Sequence, residues 1–418
     1  MTLIGPLLMA AVIILPAYLA KMESGEKLIG VVDETNYFKY KFKSDDNIRF
    51  LPLDANLKKA KEMLIDGDLY AVVYIPKTEN VLPTYAYLYS TKDVNILVKN
   101  KVKTIMQNEI AGWILQEKKV DPEIIASLRQ KVTVAPIMIN AAGEEEKSMV
   151  ELKMGLGYVL SLAIYMFIFL FGSLVMRGVI EEKTNRIVEI IISSVKPFQL
   201  MMGKIIGVAL VGLTQFALWV VSIVLILSAF HNIFADDIQA VEARRMKIQD
   251  ESFVLANPDM ADFSGADTNL SAVLDSIEAI NFPGIALAFL IYFLGGYLLY
   301  SALFAAIGAS VDNETDTQQF MLPVTVPLII GIISAQFVMT NPDGPLAFWL
   351  SMFPLTSPVV MMVRIPFGVP VWELVVSAAL LILGFLFTTY VAGKIYRTGI
   401  LMYGRKASYK DWLNWVRW

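Results

Sequence analysis

The chain has 418 residues, of which 56% are hydrophobic and 18% charged, with a formal net charge of −4 at pH 7. A soluble globular domain carries about 45–50% apolar and about 25% charged residues, so this composition excludes an ordinary soluble domain, and its negative balance excludes a nucleic-acid-binding protein. The absence of cysteine excludes disulfides, thiolate nucleophiles and thiolate metal sites.

The excess apolar residues lie in blocks long enough to cross ~30 Å of hydrocarbon as helices. They predict a polytopic α-helical membrane protein with six transmembrane helices, over 3–19, 155–176, 205–230, 282–309, 320–339 and 372–392. The first block carries Pro6 and Pro16; it lacks the basic leading region and small-residue cleavage site of a secretory signal peptide, and it reads as a span over 1–19. Residues 20–150 follow as a mixed α/β domain inserted between spans one and two. LIGVVD, IRFLPL, LYAVVYIP and TYAYLYS read as strands, and ANLKKAKEMLIDG and DVNILVKNKVKTIMQNEIAGWILQEKK as helices. No active-site constellation stands out there, and its Asp and Lys residues read as solvated faces.

The membrane domain takes up 151–418. Between spans two and three the stretch RGVIEEKTNRIVEIIISSVKP carries five charges over 181–189. At about 2.5–3.5 kcal/mol each for Asp, Lys or Arg at the bilayer centre, with Glu taken as similar, burying them in lipid would cost over ~12 kcal/mol. The segment therefore lies outside the hydrocarbon. Ile180, Ile187, Val188, Ile191 and Val195 fall on one helical face, and Glu182, Arg186, Glu189 and Ser193 on another. This predicts one amphipathic helix over 178–196, with an i,i+4 pair between Glu182 and Arg186 and a stop at Pro197. A helix lying on lipid headgroups usually has a polar face rich in Lys and Arg. This one is acidic at its start, which suits a protein partner better.

The loop 231–281 is acidic and turn-rich. Residues 341–370 contain six prolines, too apolar for a free loop and too broken for a straight span. They read as a re-entrant hairpin whose backbone must be covered by protein or line a cavity. In the tail 393–418, Trp412, Trp415 and Trp418 repeat every three residues, the pattern of an interfacial anchor on membrane lipid. Arg177, Lys183, Arg186, Lys196 and Lys204 after span two, and Lys394, Arg397, Arg405, Lys406, Lys410 and Arg417 in the tail, put both segments in the cytoplasm and make 20–150 and 231–281 extracytoplasmic. The 310–319 link, SVDNETDTQQ, falls on the cytoplasmic side without a Lys or Arg of its own.

No G-x-x-x-x-G-K-[ST] loop occurs, so the chain has no ATP site of that kind. Ionisable residues are almost absent from the spans, whereas a secondary transporter normally carries them at the midplane. An intramembrane enzyme finds no H-E-x-x-H and no aspartate pair, and the one histidine, His231, falls at the end of span three. Gln215 and Gln336 inside spans read either as a polar wall along a substrate path or as interhelical hydrogen bonds. Ser301, Ala305 and Ala309 form a small-residue face for close packing of span four.

Four stretches carry a resemblance: RGVIEEKTNRIVEIIISSVKPFQLMMGKIIG at 177–207, FPLTSPVVMMVRIPFG at 353–368, YRTGILMYGRK at 396–406 and KEMLIDGDLYAVVYIP in the α/β domain. The chain resembles the ABC-2 type transporter permeases over nearly its whole length, in particular the branch similar to the sodium-extrusion (NatB-like) permease. The resemblance implies a half-transporter in the bacterial cytoplasmic membrane that dimerises with itself or a homologous permease. It would bind no cofactor, leaving ATP and Mg²⁺ to separate cytoplasmic ABC ATPase subunits. It implies that the helix after span two is a coupling helix, mapping onto Glu181, Glu182, Lys183, Thr184, Asn185, Arg186 and Glu189. It further implies that spans two and five and the re-entrant helices line the dimer interface and exit path, where Gln336, Pro354, Pro358 and Arg364 fall; Gln215 of span three is a further candidate for that path or interface. Family members begin with a basic segment and an interfacial helix before span one; this chain departs from that pattern, starting inside the span, and a shortened start is expected. The expected function is the membrane subunit of an ATP-driven exporter. The alternative is an ATPase-driven envelope scaffold that moves the 20–150 domain without transporting anything.

Overall fold

The computed structural model describes residues 27–44, 48–77, 83, 85–118, 133–139, 143, 145–147, 150–192, 194–233, 282–313, 316–402 and 409–417. The span expected over 3–19 and most of the 231–281 loop lie outside these residues. The chain divides into two compact units: Met1–Tyr158, Ile333–Trp349 and Val363–Val369 in one, and Val159–Ile332, Leu350–Met362 and Pro370–Trp418 in the other.

The first unit is built on a mixed sheet. Strands β1 (Lys27–Asp33), β2 (Ile48–Pro52), β3 (Ala71–Ile75), β4 (Tyr85–Ser90), β5 (Thr133–Ile139) and β6 (Glu145–Lys147) stand in the order β2-β1-β3-β4-β5-β6. Pairing is parallel for β1 with β2 and β3 and for β4 with β5, and antiparallel for β3 with β4 and β5 with β6. β1 to β4 cover the four stretches read as strands from the sequence. Alternation along β1 sorts its residues between two cores. Ile29 and Val31 join Val73, Ile75 and Leu88 in a cluster with Val98, Val102, Met106 and Ile110. Those four recur every fourth residue on α2 (Ile96–Lys118). Val32 joins Val72, Tyr89 and Ile137 on the other side, under Ala60 and Leu64 of α1 (Leu57–Ile65).

Five helices among the described residues are long and apolar enough to cross a membrane. They are α3 (Val150–Thr184), α5 (Pro197–Ile233, apolar to Ile226), α6 (Phe282–Ser310), α7 (Thr317–Thr340) and α10 (Val371–Gly399). The chain is thus mostly helical and polytopic. A short helix, α4 (Ile187–Ile192), stands between α3 and α5, and α11 (Tyr409–Arg417) follows α10. In the second unit α6 packs along α10. Phe167, Phe171, Phe289 and Phe293 form an edge-to-face cluster between α3 and α6. The Tyr297 hydroxyl ties α6 to the Ile205 carbonyl of α5 at 2.7 Å.

The six-proline segment folds as α8 (Pro345–Met352), α9 (Ser357–Arg364) and a 3-10 turn at Ile365–Phe367. Its helical breaks free carbonyls that lipid cannot satisfy. Hydroxyls supply the missing donors: Thr356 Oγ1 to Leu350 O at 2.6 Å, Ser377 Oγ to Ser351 O at 2.6 Å, and Tyr300 Oη to Leu355 O at 2.6 Å. Pro358 and Pro354 seat against Gly296 and Gly384, where an added Cβ would come within 2.8 Å and 2.7 Å of the proline carbons. Tyr300→Phe should leave the Leu355 carbonyl without its donor and cost about 1–3 kcal/mol. A thermal-unfolding comparison in detergent checks this, with Ser377→Ala expected to behave alike.

Candidate functional site

The polar segment between α3 and α5 carries five charges over 181–189. The structure does not make it the single helix expected over 178–196. α3 runs straight out of its apolar part to Thr184 and stops there. Asn185 N–H donates to Glu181 O and Arg186 N–H to Lys183 O, both at 3.0 Å. Arg186 itself sits at φ +55°. That is the left-handed region, where a non-glycine residue ends a helix at a cost of roughly 1–2 kcal/mol. α4 then sets off, and Pro197 opens α5 at its first position, where proline loses nothing. The Gln199 side chain accepts from Lys196 N–H at 3.3 Å, one half of a capping box. The result is a bracket: a helix end, a sharp break, one and a half turns, and a second helix start.

The break changes the expected pairings. Glu182 and Arg186 no longer share a continuous helix, and the Glu182 carboxylate meets Lys204 of α5 at 2.8 Å instead. Gly178 lets that lysine cross, since a Cβ there would stand 3.1 Å from its Nζ. The expected apolar face also divides: Ile180 and Val188 are buried, while Ile187, Ile190 and Val195 are exposed. Glu181, Thr184, Asn185, Arg186 and Glu189 are exposed around them.

Lys183 differs from its neighbours. It is only 2% exposed, and its ammonium donates to the Ala309 carbonyl at 2.8 Å and meets Asp312 at 2.9 Å. Thr184 Oγ1 donates to the Asp312 carbonyl at 3.2 Å. These contacts reach the last turn of α6 and the short link to α7 that follows it. The link is approached closely because Gly308 has no side chain: a Cβ there would sit 2.7 Å from Met176 O and 3.0 Å from Val179. Ala309 and Ser301 of the small-residue face are fully buried. The same link is held by α11. The Trp412 indole donates to Ser310 Oγ at 2.8 Å and stacks on Phe320, with ring centroids 5.2 Å apart. Lys394 Nζ caps the Val416 carbonyl at 2.8 Å. Trp412 and Trp415, expected as a lipid anchor, are half-buried, and Trp412 is held by protein.

The other sequence candidates are scattered. Gln215 is half-buried on α5, and Gln336 is exposed on α7. Pro354 and Pro358 serve the packing already described. Arg364 is 1% exposed and donates through Nε to Pro342 O at 2.7 Å, tying the end of α9 to the start of the six-proline segment. Sequence reading missed Asp312, Ser310 and Phe320. A signal for Asp312 was present: an acidic link without a cation, on a side otherwise marked by Lys and Arg, needs a positive partner from elsewhere. Among the described residues no group of three or more His, Cys, Asp or Glu could hold a metal ion.

Comparisons with known proteins agree on one family. A family model described as ABC-2 family transporter protein matches residues 1–394. The chain is 26% identical over 398 residues to the uncharacterized protein YhaP of Bacillus subtilis, covering 93% of this chain and 86% of the relative. It is 25% identical over 419 residues to the uncharacterized protein MJ1024 of Methanocaldococcus jannaschii, covering 98% of this chain and 89% of the relative. No solved structure matches. These relatives support the family and give no support to its sodium-extrusion branch.

A buried ammonium whose carboxylate is removed loses its counter-charge, whereas an isosteric apolar side chain needs none. Asp312→Ala should therefore lower stability by about 1–3 kcal/mol, while Lys183→Met stays within about 1 kcal/mol of the parent. Paired unfolding curves in one detergent would decide it, and the reverse ranking would mean that the charge is not buried.

Proposed function

From the premise that the chain belongs to the ABC-2 transporter family, we propose that it is the membrane permease subunit of an ATP-driven exporter, working as a dimer with separate cytoplasmic ATPase subunits. The bracket carries this reading. It sets exposed Ile187 and Ile190 among exposed Glu181, Asn185, Arg186 and Glu189. Large apolar residues ringed by charge suit a protein partner. The bracket joins α3 directly to α5, so a push on it is a push on two membrane helices. The chain carries no phosphate-binding loop of its own, and the energy is then supplied from outside. The bracket side is cytoplasmic, marked by Arg177, Lys196, Lys204, Lys394 and Arg397.

In this account ATP binding draws two ATPase subunits together, their surfaces move the two brackets, and α3 and α7 open a route outward. Gln215 and the Pro354–Pro358 turn are the candidates for that route or for the dimer contact. The substrate stays unassigned. A second reading, the envelope scaffold, draws on the two-sided core of the 27–147 domain, which is large for a mere loop. A wetted path through a dimer supports export, and a sealed dimer with a moving outer domain supports the scaffold.

Reversing three exposed charges together, Glu181→Lys, Arg186→Glu and Glu189→Lys, should weaken ATPase association at least about tenfold, equal to ~1.4 kcal/mol, with the unfolding temperature unchanged. Pull-down of the native ATPase with tagged permease checks this. Retention at the parent level would place the ATPase contact elsewhere.

A further inference from the structure

We propose that Lys183 is a positioning residue for coupling: it does not touch the ATPase but acts as a strut that ties the bracket to the α6–α7 link. The inference rests on the ATPase-coupled reading above. Of the bracket residues mapped by family resemblance, Lys183 points inward, at 2% exposure. It reaches the last turn of α6 at the Ala309 carbonyl and the link at the Asp312 carboxylate, and the Thr184 hydroxyl, shared with Ile180 O of its own helix at 2.9 Å, approaches the Asp312 carbonyl at 3.2 Å. Trp412 grips the same stretch through Ser310 and Phe320. The link is thus clamped between the end of α3 and the C-terminal helix. A displacement at Arg186 or Glu189 therefore moves α6 and α7 as well as α3 and α5. Without the strut, α3 and α5 would still lie against α6, but the link itself would be held by α11 alone.

The charge arrangement favours a strut over a passing surface contact. An ammonium 2% exposed, set beside a carboxylate 30% exposed and a backbone carbonyl, leaves only by stranding its charge. The pair therefore stays closed while its surroundings move. The partner also explains how a link with no Lys or Arg of its own sits on the positively marked side: its cation arrives from α3.

The test uses the full-length permease with its co-purified native ATPase. Because the chain has no cysteine, Asn313→Cys, exposed in the link, takes a single environment-sensitive fluorophore. Mg-ATP should change its signal in the parent complex. Lys183→Met should keep the ATPase bound but lose most of that response, Lys183→Arg should retain it, and the exchange Lys183→Asp with Asp312→Lys should restore part of what Lys183→Asp alone removes. An undiminished response in Lys183→Met overturns the strut. Loss of ATPase binding in Lys183→Met also overturns it, because Lys183 would then be a contact. If no ATPase co-purifies with the parent, the coupled reading itself fails, and the strut with it. The exchange pair keeps the outcome decisive if either single variant folds poorly.

Discussion

An ammonium taken out of water must find a counter-charge and acceptors together, and in this chain the requirement fixes how one end of the helix bundle is assembled. Lys183 meets it with Asp312 and the Ala309 carbonyl. Those groups come within reach only where α3 and α6 nearly touch, at Gly308 against the Met176 carbonyl. α3 stops at Thr184, directly after the contact. The left-handed Arg186 ends it there. The polar bracket, its exposed face and its junction with α5 follow from that stop.

The six-proline segment obeys the same rule with neutral groups. Lipid offers no hydrogen bonds, so every interrupted turn needs a donor from a side chain. Thr356, Ser377 and Tyr300 supply them, and two glycines let the prolines in close. Charge at one end and hydroxyls in the hairpin solve one problem, that of polar groups in a poor solvent.

Much of this architecture is legible in the sequence, for identifiable reasons. Spans two to six stand out as apolar blocks, and α6 ends within a residue of the expected limit. β1 to β4 alternate clearly. β5 was missed because Pro136 reads as a strand breaker, although it holds its place in register with Leu88. β6 is three polar residues with no alternation to see. The bracket was misread as one helix because its apolar residues keep helical spacing across a break that no glycine announces. Lys183 looked like one more surface cation. Its partner lies far along the chain, and only the folded helices bring the two together. Trp412 has a second role that its spacing does not show: it donates to Ser310 and stacks on Phe320.

The central claim is that the bracket faces the cytoplasm, where an ATPase can reach it. Glu189→Cys would give this cysteine-free chain a single exposed thiol on the bracket, and a membrane-impermeant maleimide would read its side. The account predicts labelling in inverted vesicles and none in intact cells or right-side-out vesicles. Labelling from outside intact cells would contradict it.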